Sequence, residues 1–178
     1  LVHQLCALAG REGGLIGTVE TCIGNERLKS VRTTPEATEL QALAAVMRER
    51  HVRQLVMEVS SHALAMGRMK GSHFSIAAFT NLTQDHLDFH QDMDSYFAAK
   101  SLLFTHELSD LALINIDNQY GAKLAQNSVI QRKTISRDQT SADWHFSELH
   151  PSSQGYEFAI RGPAGILIES STSLVGGY

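Results

Sequence analysis

The chain has 178 residues, 43% of them apolar and 19% charged, which excludes a disordered chain, and it holds no long uncharged apolar run of the kind that spans a membrane. Lys and Arg number 15 against 19 Asp and Glu, and this formal charge of −4 excludes nonspecific capture of nucleic acid or of an anionic membrane surface by a basic block. Cys6 and Cys22 lack CxxC spacing, so neither a zinc site nor a disulfide framework is suggested; both are expected to be reduced, buried and inert in a soluble cytoplasmic protein.

Leu1, Leu5 and Leu8 recur at helical spacing, with Gly10 placed to close the helix and its start expected upstream of Leu1. Leu15–Val19 reads as a strand. Thr34-Pro35-Glu36 reads as a helix start, with Thr34 as N-cap, Pro35 in the first turn, and Leu40, Leu43, Ala44 and Met47 on the apolar face. Leu55–Val59 and Phe74–Phe79 are nearly continuous apolar runs. A helix follows over Asp92–Thr105, then a strand over Leu111–Ile116 and a helix from Asn118 to Ala125. Strands alternating with helices predict an α/β fold, a mostly parallel sheet with helices on both faces, over residues 1–130. From 131 to 178 the segments Trp144–Leu149, Tyr156–Ile160 and Ile166–Glu169 alternate with Pro- and Gly-rich turns, which predicts a small antiparallel β appendage.

In open α/β sheets ligands bind beyond the carboxyl ends of the strands, and the polar residues of this chain collect there: Thr18, Glu58, Ser60, Thr80, Asn81, Asn115 and Asp117. A carboxylate in an apolar run needs a cation or donors, so Glu58 is a metal ligand, a buried ion-pair partner, or a group exposed past the sheet edge. Asp85-His86-Leu87-Asp88-Phe89-His90 gathers carboxylates and imidazoles able to bind a divalent ion, or forms a solvated loop. Ser60-Ser61-His62 lacks the G-x-S-x-G elbow of a hydrolase; a serine there is a donor to an anion or the N-cap of the next helix.

Lys100 projects from the apolar face formed by Met93, Tyr96, Phe97, Leu103 and Phe104. Either its stem covers that surface while the amine reaches water, or the amine is partly buried with a lowered pKa. In the second case it can react with carbon dioxide to a carbamate, an anionic metal ligand.

Four motifs occur in order: Thr33-Thr34-Pro35-Glu36; Met57-Glu58-Val59-Ser60-Ser61-His62; Thr80-Asn81-Leu82 with Asp85-His86-Leu87-Asp88; and Tyr96-Phe97-Ala98-Ala99-Lys100. Together they resemble the central domain of the Mur ligases, and within that family the type that adds the third residue to UDP-N-acetylmuramoyl-L-alanyl-D-glutamate. The resemblance runs over 1–178 and implies a P-loop NTPase-like fold, truncated at both ends, with the final residues as the junction to a C-terminal domain. It implies an acyl-phosphate mechanism with ATP as co-substrate, Mg2+ as cofactor, and a diamino acid as the incoming amine, meso-diaminopimelate being favoured and L-lysine the alternative. By the same resemblance Glu58 ligates one magnesium, while His86 and a carbamylated Lys100 hold the other. Thr33, Thr34, Ser60 and Arg68 match positions that bind the UDP-muramoyl dipeptide; Arg32 and Met66 align with such positions but are not the polar residues usual there. No G-x-x-x-x-G-K-[ST] run is present, and it is expected just before Leu1, so the fragment alone is expected to be inactive and its parent a monomeric ligase. The alternatives are a folylpolyglutamate synthase-like ligase and a metal-dependent hydrolase built on Asp85–His90.

Overall fold

The computed structural model describes residues 1–11, 13–85, 88–153 and 155–173. The chain forms two compact units, one from 1–72 with 88–102 and the other from 73–87 with 103–178.

In the first unit, α1 (Val2–Leu8) ends at Ala9, and Gly10 follows at φ +71°. The Gly10 N–H donates to Ala7 O and the Arg11 N–H to Cys6 O, the paired bonds of a helix closed by a left-handed residue. The leucine stripe of α1 faces outward: Leu1 is 84% and Leu8 85% exposed. Cys6, expected to be buried, is only half-buried, whereas Cys22 is buried and burial pushes its thiol pKa up.

A four-stranded sheet runs in the order β3-β2-β1-β4, from β1 (Gly13–Ile16), β2 (Glu20–Ile23), β3 (Glu26–Lys29) and β4 (Gln54–Met57). Only β1 and β4 pair in parallel, Gly14 opposite Leu55 and Ile16 opposite Met57. The β2–β3 hairpin is absent from the sequence-based expectation. Its signal is Gly24-Asn25 between Ile23 and its partner Glu26, with Gly24 at φ +59° as a two-residue hairpin turn requires. Three helices complete the unit: α2 (Ala37–Glu49), α3 (Ser61–Ala65) and α4 (Met93–Ser101). The N-cap of α2 is Glu36, not Thr34, and its N–H donates to the Glu39 carboxylate at 3.0 Å. Thr34 and Pro35 precede the helix because the Thr34 hydroxyl is engaged elsewhere. Asp92 caps α4 by accepting from Ser95 N, which holds its carboxyl below the usual carboxylate range. The expected single helix to Thr105 instead becomes a 3-10 turn over Leu102–Phe104.

In the second unit, β5 (Phe74–Phe79), β6 (Ser109–Asn115), β7 (Gln131–Ser136), β8 (Trp144–Ser152), β9 (Gly155–Arg161) and β10 (Leu167–Thr172) lie in chain order across one six-stranded sheet. Pairing is parallel from β5 to β8 and antiparallel from β8 to β10. The change to antiparallel pairing therefore falls at β8, later than residue 131, and the antiparallel strands extend the parallel sheet. β7 carries no apolar alternation strong enough to announce it: Gln131, Arg132, Lys133 and Thr134 are polar. Helix α5 (Gln119–Gln126) is capped by Asn118, whose side chain accepts from Gly121 N at 2.8 Å. Ala112 and Ile114 are fully buried, and an isoleucine side chain so placed contributes about 1.5–3 kcal/mol. No described helix is long and apolar enough to cross a membrane.

Candidate functional site

The ends of β1 and β4 place Thr18 and Glu58 together because the two strands run in parallel. Glu58 N–H donates to Ile16 O at 2.9 Å, which carries the pairing one residue past β4. The Glu58 side chain is exposed, so of the three readings the buried ion pair is overturned. Its Oε2 accepts the Thr18 N–H at 2.9 Å and the Thr18 hydroxyl at 2.6 Å. Thr18 Oγ1 also lies 3.0 Å from Thr33 Oγ1. A hydroxyl has one proton, and Thr18 commits its own to the carboxylate, so Thr33 donates to Thr18.

Thr34 is 1% exposed, and its hydroxyl stitches two segments. It donates to Glu58 O at 3.0 Å and accepts the Ser60 N–H at 3.0 Å. Ser60 in turn caps α3, its Oγ accepting from Ala63 N at 3.2 Å, which leaves its own hydroxyl proton to donate. The helix-cap reading of this serine holds. Just beyond α3, Arg68 reaches back: Nη1 donates to Thr34 O at 3.3 Å, and Nη2 meets Glu36 Oε1 at 3.0 Å and Met66 Sδ at 3.3 Å. Its Nε is buried with no hydrogen-bond partner. Glu36 Oε1 also pairs with Arg32 Nη1 at 2.9 Å, so one carboxylate holds both arginines. Thr33, Thr34, Ser60, Arg68, Arg32 and Met66 are thus gathered in the first unit. Glu36, which the sequence marks only as part of a helix start, is the residue that ties these arginines, and its place four residues after Arg32 is a readable signal.

Lys100 is half-buried on α4, with Nζ 5.5 Å from the centre of the Tyr96 ring, within cation–π range. His86 lies outside the described residues. Magnesium takes hard oxygen donors, and Glu58 offers one, because both Thr18 donors fall on Oε2. Among the described residues no group of three His, Cys, Asp or Glu could hold a metal ion. An ammonium is no ligand, so Lys100 suits a cation only as the carbamate.

The second unit has its own polar surface where β5, β6 and β7 end: a cavity of about 500 Å³ lined by Thr80, Asn81, Asn115, Asn118, Arg137 and Phe146 among others. Asn81 Oδ1 accepts from Leu82 N at 2.8 Å and from Asn118 Nδ2 at 2.6 Å. Asp117 is partly desolvated, but donors from Ser136 Oγ and the Arg137 and Asp138 backbone outweigh this and hold its carboxyl below the usual range.

Residues 1–178 match the Mur ligase middle domain. The chain is 48% identical over 166 residues to a UDP-N-acetylmuramoyl-L-alanyl-D-glutamate--2,6-diaminopimelate ligase of Streptomyces coelicolor, covering 93% of this chain and 33% of that protein. It is 42% identical over 182 residues to a UDP-N-acetylmuramyl-tripeptide synthetase of Leifsonia xyli, covering 100% of this chain and 35% of the other. A solved UDP-N-acetylmuramoyl-L-alanyl-D-glutamate--2,6-diaminopimelate ligase superposes with a TM-score of 0.84 at 27% identity, covering 98% of this chain and 36% of the solved one. The chain spans about a third of the length of these relatives.

Proposed function

The chain belongs to the Mur ligase middle-domain family, and from that premise we propose that it is the central part of an ATP-dependent ligase joining diaminopimelate to UDP-N-acetylmuramoyl-L-alanyl-D-glutamate. The two ligases described above at 48% and 42% identity support this reading over the folate-type ligase and the hydrolase. The observation that carries it within the molecule is Arg68, whose buried Nε has no partner although two other nitrogens of the same guanidinium are held. A planar donor held at two nitrogens and left unsatisfied at the third has the chemistry to take an oxyanion of an incoming substrate.

In this reading ATP phosphorylates the D-glutamate carboxylate, the amine of the diamino acid attacks the acyl phosphate, and phosphate leaves. Arg68 binds a carboxylate or phosphate oxygen of the UDP-linked dipeptide, and Ser60 donates its free hydroxyl proton to it. Thr33 completes the polar rim. Thr34 contributes by holding Ser60 in place, since its proton is committed to the Glu58 carbonyl. Arg32 and Met66 flank Arg68 on its outer side. Glu58, His86 and carbamylated Lys100 would hold magnesium, which supplies positive charge to the transferring phosphoryl group. The expected place of work is the cytoplasm, and the expected active form a monomer.

The test is the full-length protein with the UDP-muramoyl dipeptide, ATP and either meso-diaminopimelate or L-lysine. Phosphate release tied one-to-one to UDP-muramoyl tripeptide, with diaminopimelate preferred, is the expected result. Phosphate release without tripeptide overturns the ligase reading. ATP-dependent phosphate release by the isolated 178 residues would contradict the expectation that this part is inactive alone.

A further inference from the structure

His90, which the sequence places only within the Asp85–His90 cluster, is among the most buried polar residues of the first unit, at 6% exposure. Its Nε2 lies 2.8 Å from the hydroxyl of Ser61, which is itself 1% exposed and is the first residue of α3. One face of the imidazole stacks on Tyr96 of α4, with ring centres 5.0 Å apart and planes 19° from parallel. Phe89 closes against it edge-on at 4.9 Å. The ring therefore sits among Tyr96, Phe89 and His62, whose ring centre is 5.7 Å away, and aims a nitrogen at the Ser61 hydroxyl.

That hydroxyl stands at a sensitive place. Ser61 follows Ser60, whose N–H is bonded to Thr34 and whose Oγ caps α3. Arg68 is tied to the same helix through its N–H on Ala63 O at 2.8 Å. A shift of Ser61 moves the start of α3, and with it Ser60 at one end and Arg68 just beyond the other. A buried hydroxyl that loses its partner costs free energy, so Ser61 has a strong reason to stay where His90 holds it.

We propose that His90 is a positioning residue for the dipeptide site: seated on Tyr96, it fixes Ser61, and through Ser61 the placement of Ser60 and Arg68. This rests on the dipeptide reading given above. The dyad of Ser61 and His90 is not a nucleophile and base, because both side chains are shut away from solvent.

The experiment uses the full-length protein and measures the Kd of the UDP-muramoyl dipeptide by calorimetry, with the Kd of ATP and the thermal midpoint alongside. His90→Phe keeps the stack and loses the bond; His90→Gln places an amide near the position of Nε2. His90→Phe and Ser61→Ala are each expected to weaken dipeptide binding about tenfold while ATP binding stays within twofold. The double variant is expected to be no weaker than either single one, and His90→Gln to recover most of the loss. Dipeptide binding unchanged in Ser61→Ala overturns the proposal, even if His90→Phe fails to fold. Additive losses, or His90→Gln as weak as His90→Phe, also overturn it. Wild-type protein that does not bind the dipeptide at all fails the functional reading, a result separate from these.

Discussion

The Thr34 hydroxyl donates to the Glu58 carbonyl at 3.0 Å across 24 positions of sequence, and so joins the segment before α2 to the end of β4. The same oxygen accepts from Ser60 N–H, so one buried side chain pins both ends of the short stretch from Glu58 to Ser60. Thr34→Val keeps the shape and removes both bonds, leaving a buried carbonyl and N–H unpaired. Unfolding free energy is expected to fall by about 2 kcal/mol in urea titration, with weaker dipeptide binding. Unchanged stability would show that the two backbone groups find water instead.

Glu36 offers a second test, because Arg32 and Arg68 meet on its one oxygen. The pairs are partly exposed, so Glu36→Gln is expected to lower stability by about 1 kcal/mol or less. Dipeptide affinity is expected to fall roughly threefold at low salt, with the difference shrinking as salt screens the charges. A loss independent of salt would point to packing rather than charge.

Gly121 in α5 separates helix propensity from packing. Alanine at an ordinary helix position gains about 1 kcal/mol over glycine. Here a Cβ would stand 1.9 Å from the Asn115 carbonyl oxygen, a backbone atom that cannot swing aside. Gly121→Ala is therefore expected to destabilise by about 2 kcal/mol, read as a lower thermal midpoint.

Asp143 predicts a pH effect. Its Oδ2 accepts the Thr134 N–H at 2.8 Å and the Thr134 hydroxyl at 2.9 Å, and these donors, the backbone one first, hold its carboxyl below the usual range. A carboxyl lowered on folding stabilises fully above its unfolded pKa, about 3.9 for aspartate, and the contribution is lost as pH falls through the folded value. Asp143→Asn is expected to flatten the decline of the unfolding midpoint below about pH 5. An unaltered slope would place the acid sensitivity elsewhere.

Lys100 decides between carbamate and snorkelling. Lys100→Ala in the full-length ligase is expected to lose about a hundredfold in activity and to regain part of it with a short carboxylic acid that occupies the vacated space. Lys100→Met with activity intact would assign the side chain to covering Tyr96 and its neighbours.

By itself the sequence determined most elements and their order. Apolar periodicity, the helix starts at Asp92 and Asn118, Gly10 after α1 and the turns around Gly155 and Gly162 are signals between near neighbours. They also carried the family, since the four motifs are contiguous strings. Where a local signal is absent or outcompeted, the sequence misleads: β7 is too polar to announce itself, and Thr34 has the pattern of a cap although its hydroxyl serves Glu58 and Ser60. Only the tertiary structure decided which groups meet. Glu36 between Arg32 and Arg68, Thr18 on Glu58, and His90 on Ser61 join positions up to 40 residues apart. A hydrogen bond needs a partner within about 3 Å, and sequence spacing sets that distance only inside a helix turn or a hairpin. Across the parallel β1–β4 pair and the packed α3 and α4, the distance is set by how whole elements come together.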